Sequence, residues 1–117
     1  MAVQKLQNAY YVTSDMARAV GFYRDALGLD LVFQDGDKWT QFKAGGVNFA
    51  MAAFDEASDG AVGATIVFEV DDIDAMTPSL KAAGGQVLDT RDMGDHGRTL
   101  SFRDPDGNLV QLYQRST

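Results

Sequence analysis

The residues of this sequence best suited to acid–base chemistry are a single histidine and its neighbours. His96 is the only histidine, and it lies in the segment Gly94-Asp95-His96-Gly97-Arg98. An imidazole beside a carboxylate can act as a general base near neutral pH, which makes His96 the candidate catalytic residue. The segment is equally typical of an exposed loop histidine next to a turn, since the sequence places no nucleophile or partner acid beside it.

A larger set of amide, hydroxyl, acidic and aromatic side chains could bind a ligand in a cavity. These residues fall on one side of the predicted strands, where polar side chains must be either solvated or turned towards a ligand. The candidate ligand-binding residues are Asn8, Tyr10, Trp39, Gln41, Thr65, Glu69, Gln111 and Tyr113.

Each candidate also has a structural interpretation. Trp39 could stack on a planar ligand, a cationic one if Glu69 lies nearby, or it could pack in the core or at a dimer interface. The tyrosines could line a pocket or fill it. Gln111 and Asn8 could hydrogen-bond a ligand, or they could pair with each other or with Thr65 and so satisfy their own amides.

The elements that must position these residues form an internal repeat. Asp15 precedes Gly28 by thirteen residues, and Asp71 precedes Gly84 by the same interval. In each half an aspartate can cap a helix with apolar spacing, a glycine ends it, and short strands follow. Each half therefore reads β-α-β-β-β, which predicts an α+β fold of two tandem modules whose mixed sheets curl around a cleft.

The predicted bounds are similar in the two halves. The helices run from Ser14-Asp15 to Gly28 and from Asp71-Asp72 to Gly84-Gly85, with Pro78 either kinking the second helix or restarting it. The whole chain is one domain over 1–117, with module one about 5–54, a linker over 55–63 and module two about 64–115. The strands are 7–13, 29–34, 39–43, 47–53, 65–70, 86–90, 98–103 and 109–114, with a loop over 91–97.

Alternation along the strands divides each into a helix side and an opposite side. Asn48, Ala50 and Ala52 are expected opposite the helices, as are Trp39 or Gln41 and Ser101 or Arg103. The apolar residues expected on the helix side are Phe42, Val47, Phe49, Met51, Leu100, Phe102, Val110 and Leu112.

Composition excludes several classes of function. The absence of cysteine excludes disulfides, thiolate metal sites and cysteine nucleophiles. A net charge of −7 without a basic stripe is unfavourable for nucleic-acid binding. The sequence shows no signal peptide and no apolar run that could cross a membrane, which predicts a cytoplasmic protein with no membrane partner.

Three segments resemble the vicinal oxygen chelate superfamily, which includes glyoxalase I, bleomycin and fosfomycin resistance proteins and extradiol dioxygenases. The segments are Phe22-Tyr23-Arg24-Asp25-Ala26-Leu27-Gly28-Leu29, Phe68-Glu69-Val70-Asp71-Asp72-Ile73-Asp74 and Phe102-Arg103-Asp104-Pro105-Asp106-Gly107-Asn108-Leu109. They shape turns and core, so they indicate the fold more strongly than the function.

The resemblance also implies where a metal would be held. Counting from the motifs, the four metal-ligand positions of metal-dependent members fall at Asn8 (or Gln7 after a one-residue slip), Ala50, Thr65 and Gln111. None carries a carboxylate or an imidazole, the ligands that repay the dehydration of a divalent metal. The sequence therefore predicts no metal and no cofactor, as in the bleomycin-binding members.

Three functional hypotheses follow. The first is a small-molecule-binding, bleomycin-resistance-like protein that forms a homodimer, with the cavity within one chain or shared between two. The second is a lyase or isomerase of the glyoxalase type with non-standard or no metal ligands, with His96 as base. The third is a structural subunit whose cavity is filled by Trp39 and the tyrosines.

Overall fold

The computed structural model describes residues 4, 6–57, 63 and 65–116. It consists of eight strands and two α-helices in the predicted order. The first module contains β1 (Ala9–Thr13), α1 (Met16–Gly21), β2 (Asp30–Asp35), β3 (Trp39–Ala44) and β4 (Val47–Ala53). The second contains β5 (Ile66–Glu69), α2 (Ile73–Ala82), β6 (Gln86–Asp92), β7 (Arg98–Arg103) and β8 (Leu109–Gln114).

Each module forms one mixed four-stranded sheet with the same strand order. The first sheet runs β1-β4-β3-β2 and the second β5-β8-β7-β6. In each sheet the first strand pairs parallel to the last, and the remaining pairs are antiparallel. The prediction of an α+β fold built from two β-α-β-β-β modules is confirmed. Among the described residues, no helix is long and apolar enough to cross a membrane.

The structure refines three details of the predicted bounds. The first helix is not α-helical to Gly28: Phe22–Ala26 form a π turn in which the Leu27 amide bonds to the Phe22 carbonyl. This turn follows α1 directly, and both Phe22 and Tyr23 are buried in it. The loop predicted over 91–97 is shorter, because β6 continues to Asp92 and a 3₁₀ turn occupies Gly94–His96.

The third detail concerns Pro78, which lies inside α2 and does not restart it. Proline cannot donate the bond that the carbonyl of Asp74 would otherwise accept. The helix nevertheless continues through this position to Ala82, and the neighbouring Thr77 hydroxyl donates to the Ile73 carbonyl at 3.2 Å. In the predicted linker, residues 58–62 lie outside the described residues, and Phe54–Glu56 form a 3₁₀ turn.

The helix sides of both sheets pack into one hydrophobic core. Phe49 of the first sheet meets Phe68 of the second edge to face, with ring centroids 5.4 Å apart. The predicted helix-side residues are buried, except Val47, which is half exposed at the start of β4. The core cluster is Tyr11, Met16, Ala19, Val20, Phe22, Tyr23, Phe42, Phe49, Met51, Ile73, Leu80, Leu100, Phe102, Val110 and Leu112.

The turn Asp104–Asn108 joins the second module to the first through two carboxylates. Asp104 is buried and accepts from the Tyr23 hydroxyl at 2.8 Å, the Asn108 amide group at 2.9 Å and two backbone N–H groups of its own turn. Asp106 accepts from Thr13, Ser14 and Arg18 at the start of α1. These bonds link the two modules and fix the relative orientation of the two sheets.

Two buried tyrosines at this junction predict a loss of stability in alkali. Burial, followed by the charge of Asp104, raises the pKa of Tyr23 well above its ordinary value of 10.0. Burial also raises the pKa of Tyr11, whose hydroxyl accepts from the Ile66 amide. The folded state therefore keeps both protons while the unfolded chain loses them, so this stability is fully present below about pH 10 and is lost as the pH rises above it.

We expect the free energy of unfolding, measured by urea titration, to fall above pH 10, with Tyr23 contributing about 1.4 kcal/mol per pH unit. In Tyr23→Phe the slope becomes shallower by about that amount. The same slope in the variant and the original protein would contradict the assignment to Tyr23.

One buried hydroxyl predicts a stabilising substitution. Thr40 lies on the helix side of β3, fully buried, and its Oγ1 has no hydrogen-bond partner among the described residues. Because an unpaired buried hydroxyl is costly and valine has nearly the same shape, Thr40→Val is expected to raise the free energy of unfolding by about 1 kcal/mol. Thr90→Val, on the exposed edge strand β6, is the control and is expected to change it little. A loss of stability in Thr40→Val would mean that the hydroxyl is bonded after all.

Candidate functional site

The pairing register defines the side of each sheet that points away from the helices, here called its open face. On the first sheet Tyr10 lies opposite Ala50, which lies opposite Gln41. Trp39 lies opposite Ala52, so Trp39 and Gln41, which the alternation left undecided, both lie on the open face. Asn8 precedes β1 and falls on the same side by alternation.

An aromatic pair covers the centre of this face. Tyr10 on β1 and Trp39 on β3 have ring centroids 5.3 Å apart at an interplanar angle of 55°. They meet across the intervening strand β4, whose open-face residues are Ala50 and Ala52. Both alanines are fully buried, which is what side chains lying over them would produce. The Trp39 indole also donates to Gln41 Oε1 at 3.5 Å.

The open face of the second sheet carries mainly hydrogen-bonding groups. Gln111 lies opposite Ser101 and donates to its hydroxyl at 3.0 Å. The amide nitrogen therefore donates to a neighbouring strand, but to neither Asn8 nor Thr65, the partners that the structural interpretation of Gln111 named. Thr65 is exposed just before β5. Glu69 is exposed and pairs with Arg115 at 3.1 Å.

The fourth candidate on this sheet, Tyr113, has a fixed neighbour. A Cβ built on Gly97 would lie 2.9 Å from Cε1 of the Tyr113 ring. The loop that carries His96 therefore packs directly against the open face. His96 itself is exposed in the 3₁₀ turn Gly94–His96, as the structural interpretation of this residue expected.

Sequence reasoning missed Phe33 and Asp89 on the open faces. The register of β2 shifts between Leu31 and Phe33, and that of β6 shifts between Val87 and Asp89. Such a bulge resets the alternation, so Phe33 lies opposite Gln41 and Asp89 opposite Ser101. The sequence offered one signal of these bulges, an apolar residue at equivalent positions of both edge strands. These residues are Val32 and Leu88, and both are exposed.

A cleft of about 550 Å³, here called the inter-module cleft, lies between the two modules at the end of the first sheet that carries the turn between β3 and β4. It is lined by the hairpin between β3 and β4, by the segment Leu27–Asp30 and by Ile66–Val70. Of the eight predicted ligand-binding residues, only Glu69 lines it. The bonds and ring contacts described above that join the modules all involve the helix sides or the Asp104–Asn108 turn.

Comparison with known proteins places the chain in a family. A model of the Glyoxalase/Bleomycin resistance protein/Dioxygenase superfamily matches residues 5–112, and the chain belongs to this superfamily.

Individual relatives differ in their named activities. The chain is 31% identical to a probable lactoylglutathione lyase of Vibrio parahaemolyticus, over 86% of this chain and 83% of that protein. It is 25% identical to the metallothiol transferase FosB of Shouchella clausii, over 95% and 80%. The crystal structure of the fosfomycin resistance protein FosX from Listeria monocytogenes with Mn(II) and sulfate superposes with a TM-score of 0.79 at 19% identity, over 98% and 93%.

Proposed function

We propose that this chain is a metal-free, bleomycin-resistance-like member of the superfamily that binds a small organic molecule against the open faces of its sheets. The observation that carries this proposal is the set of side chains at the four family metal positions. They are the amides of Asn8 and Gln111, the hydroxyl of Thr65 and the methyl group of Ala50.

These side chains do not fit a divalent metal. Neutral amides and a hydroxyl repay its dehydration poorly, and a methyl group cannot coordinate it. Ala50 is buried, and Gln111 already donates to Ser101. Among the residues that the structure describes, no group of three or more histidine, cysteine, aspartate or glutamate side chains could hold a metal ion.

The open faces offer two complementary kinds of contact to a ligand. The Tyr10–Trp39 pair, extended by Phe33 on the neighbouring row, offers apolar ring surface. Ser101 and Gln111 offer a hydroxyl and an amide oxygen for hydrogen bonds. A planar molecule with polar edges would use both, and its binding requires no metal.

Metal content tests the first half of this proposal. Protein purified without chelators is expected to carry only substoichiometric metal by elemental mass spectrometry, and EDTA is expected to leave its thermal unfolding unchanged. One tightly bound nickel, zinc, manganese or iron ion per chain would contradict the proposal.

Tryptophan fluorescence tests the second half, because Trp39 is the only tryptophan. A titration with metal-free bleomycin, and with uncharged planar aromatic compounds, is expected to change the emission saturably. Tyr10→Ala should weaken this binding, whereas Phe54→Ala, an exposed aromatic residue away from the face, should not. Saturable binding that is equal in both variants would place the ligand elsewhere.

We also propose that the protein is a cytoplasmic homodimer. Within one chain the described inter-module contacts join the helix sides, so a second copy could bring the open face of one sheet opposite that of another. Sedimentation equilibrium is expected to give twice the chain mass. If the mass is that of one chain at concentrations where a ligand binds, the proposal of a dimer is wrong. Each open face would then be a separate site.

The enzyme hypothesis keeps one specific observation, the packing of the His96 loop against Tyr113. It predicts turnover of the hemithioacetal of methylglyoxal and glutathione, or of a related substrate, that is lost in His96→Ala. If no probe binds and no turnover occurs, the structural-subunit hypothesis is favoured, because the side chains of Tyr10 and Trp39 already cover Ala50.

A further inference from the structure

The inter-module cleft exists because the two modules differ in one hairpin turn. The turn between β7 and β8 has five residues, Asp104–Asn108, whereas the equivalent turn between β3 and β4 has two, Gly45 and Gly46. The repeat otherwise preserves the sheet order and pairing. The two ends of the inter-module junction should therefore be filled differently.

At one end the longer turn fills the junction. The carboxylate of its Asp106 accepts hydrogen bonds from Thr13, Ser14 and Arg18. Its Pro105 reaches the far wall, since a Cβ built on Gly84 would lie 3.8 Å from Pro105 Cγ. Large aromatic side chains complete the packing, because Tyr11 and Tyr23 bond to backbone and carboxylate groups of the second module.

At the other end the hydrogen-bonding groups are missing and the turn is shorter. The strand register relates Tyr11, opposite Met51, to Phe68, opposite Leu112, and the backbone bonds of the Leu29 and Gly85 amides relate Tyr23 to Leu80. Phe68 and Leu80 carry no hydroxyl that could bond across the junction. The glycines that follow the two helices, Gly28 and Gly84, both have positive φ, so the far wall at Gly84 corresponds to Gly28. Gly28 and Gly45 line the inter-module cleft, so the cleft is the space that a longer turn fills at the opposite end.

The cleft has an apolar part that is already formed. Phe49 and Phe68 are in edge-to-face contact and line the cleft together with Leu112. A volume of about 550 Å³ lies within the range that small organic ligands occupy. An apolar body of suitable length would be removed from water there.

The rim of the cleft is more acidic than the equivalent region at the other end of the junction, which the Asp104–Asn108 turn fills. By the strand register and the helix caps, Thr13, Ser14 and Arg18, which donate to Asp106, correspond to Val70, Asp71 and Ala75. Two of these side chains cannot donate a hydrogen bond and the third is an acid, so an anion is no longer accommodated. A second groove of about 420 Å³ shares Leu27, Glu69 and Val70 with the cleft and leads to Asp71 and Asp72. Lys43 and Arg115, the latter paired with Glu69, are the cations at this rim, and the net charge of −7 also attracts a cation.

We propose that the inter-module cleft is a second ligand site, separate from the Tyr10–Trp39 and Ser101–Gln111 pairs of the open faces, for a small amphipathic organic cation. The apolar body lies against Phe49 and Phe68, and the cationic group lies towards Glu69 and Asp71. This site does not depend on the proposed function of the open faces.

The test uses octyltrimethylammonium below its micellar concentration, with octanoate and octanol as charge controls. In ¹H–¹⁵N correlation spectra of the full chain, the cation is expected to cause saturable shifts at Gly28, Gly45 and the 66–70 amides, with Trp39 fluorescence unchanged. Octanoate is expected to bind at least about tenfold more weakly because of the acidic rim.

Two matched pairs of variants locate the site. Val47→Phe fills the cleft and should weaken binding by about tenfold, whereas Val32→Phe, at an equally exposed valine outside the cleft, should not. Asp71→Asn should weaken the binding of octyltrimethylammonium and leave that of octanol unchanged. Asp95→Asn should change the binding of neither compound.

Several outcomes would overturn the proposal. These are the absence of saturable shifts in the original protein, equal binding of octanoate, and shifts confined to Tyr10 and Trp39, which would assign the cation to the open face. A change of sedimentation coefficient in Val47→Phe alone would show that a second copy of the chain, not a small cation, occupies the cleft. Failure of bleomycin to bind at Trp39 bears only on the proposed function.

Discussion

Asp104→Asn is expected to lower the free energy of unfolding by about 3 kcal/mol, measured by urea titration at pH 7. The carboxylate is buried and accepts four hydrogen bonds, one of them from Tyr23 in the other module. Asparagine has the same shape but replaces one accepting oxygen with a donor. That donor would face N–H or O–H groups, so at least two buried polar groups would lose their partners.

Asp95→Asn is the matched control, because Asp95 is exposed in the His96 loop, and it is expected to change stability by less than about 0.5 kcal/mol. A double-mutant cycle with Tyr23→Phe should give a coupling energy of about 1 kcal/mol between the two side chains. If Asp104→Asn and the control are equally stable, the turn does not hold the modules together through this carboxylate.

The role of this turn illustrates what the sequence could and could not reveal. Its composition predicts a turn, because aspartate, proline, glycine and asparagine each favour turn conformations. Its partner Tyr23, however, lies 81 residues away, and no local pattern reports a contact at that separation. The repeat predicted the two modules and the core side of β3, β4, β7 and β8, since the two halves support the same periodicity independently.

The open faces were predictable only as far as alternation holds. Gln41 and Gln111 lie on the predicted side because β3 and β8 are regular. Phe33 was missed because a bulge at Val32 resets the alternation on the edge strand. The pairing of Tyr10 with Trp39 across β4 was also beyond the sequence, because it depends on the register of three strands and on the small size of Ala50 and Ala52.

Gly97→Ala is expected to lower the free energy of unfolding by about 3 to 4 kcal/mol, from two separate causes. Gly97 has φ 90° and ψ −161°, a conformation essentially confined to glycine that costs any other residue about 1 to 3 kcal/mol. Its Cβ would also lie 2.3 Å from the Gln114 carbonyl oxygen and 2.9 Å from the Tyr113 ring. Because the first of these atoms belongs to the backbone of β8, the clash cannot be relieved by a side-chain rotation alone.

Gly94→Ala separates the two causes. Gly94 begins the same 3₁₀ turn with a φ of 63°, but a Cβ there would meet nothing within 4 Å. We therefore expect it to lose only the conformational part, about 1 to 2 kcal/mol, and to leave the Tyr113 resonances in place. Gly97→Ala should shift them, because its methyl group must displace the ring from the open face. Equal losses in the two variants would show that Gly97 is required for its backbone conformation alone, and that Tyr113 is not held by this contact.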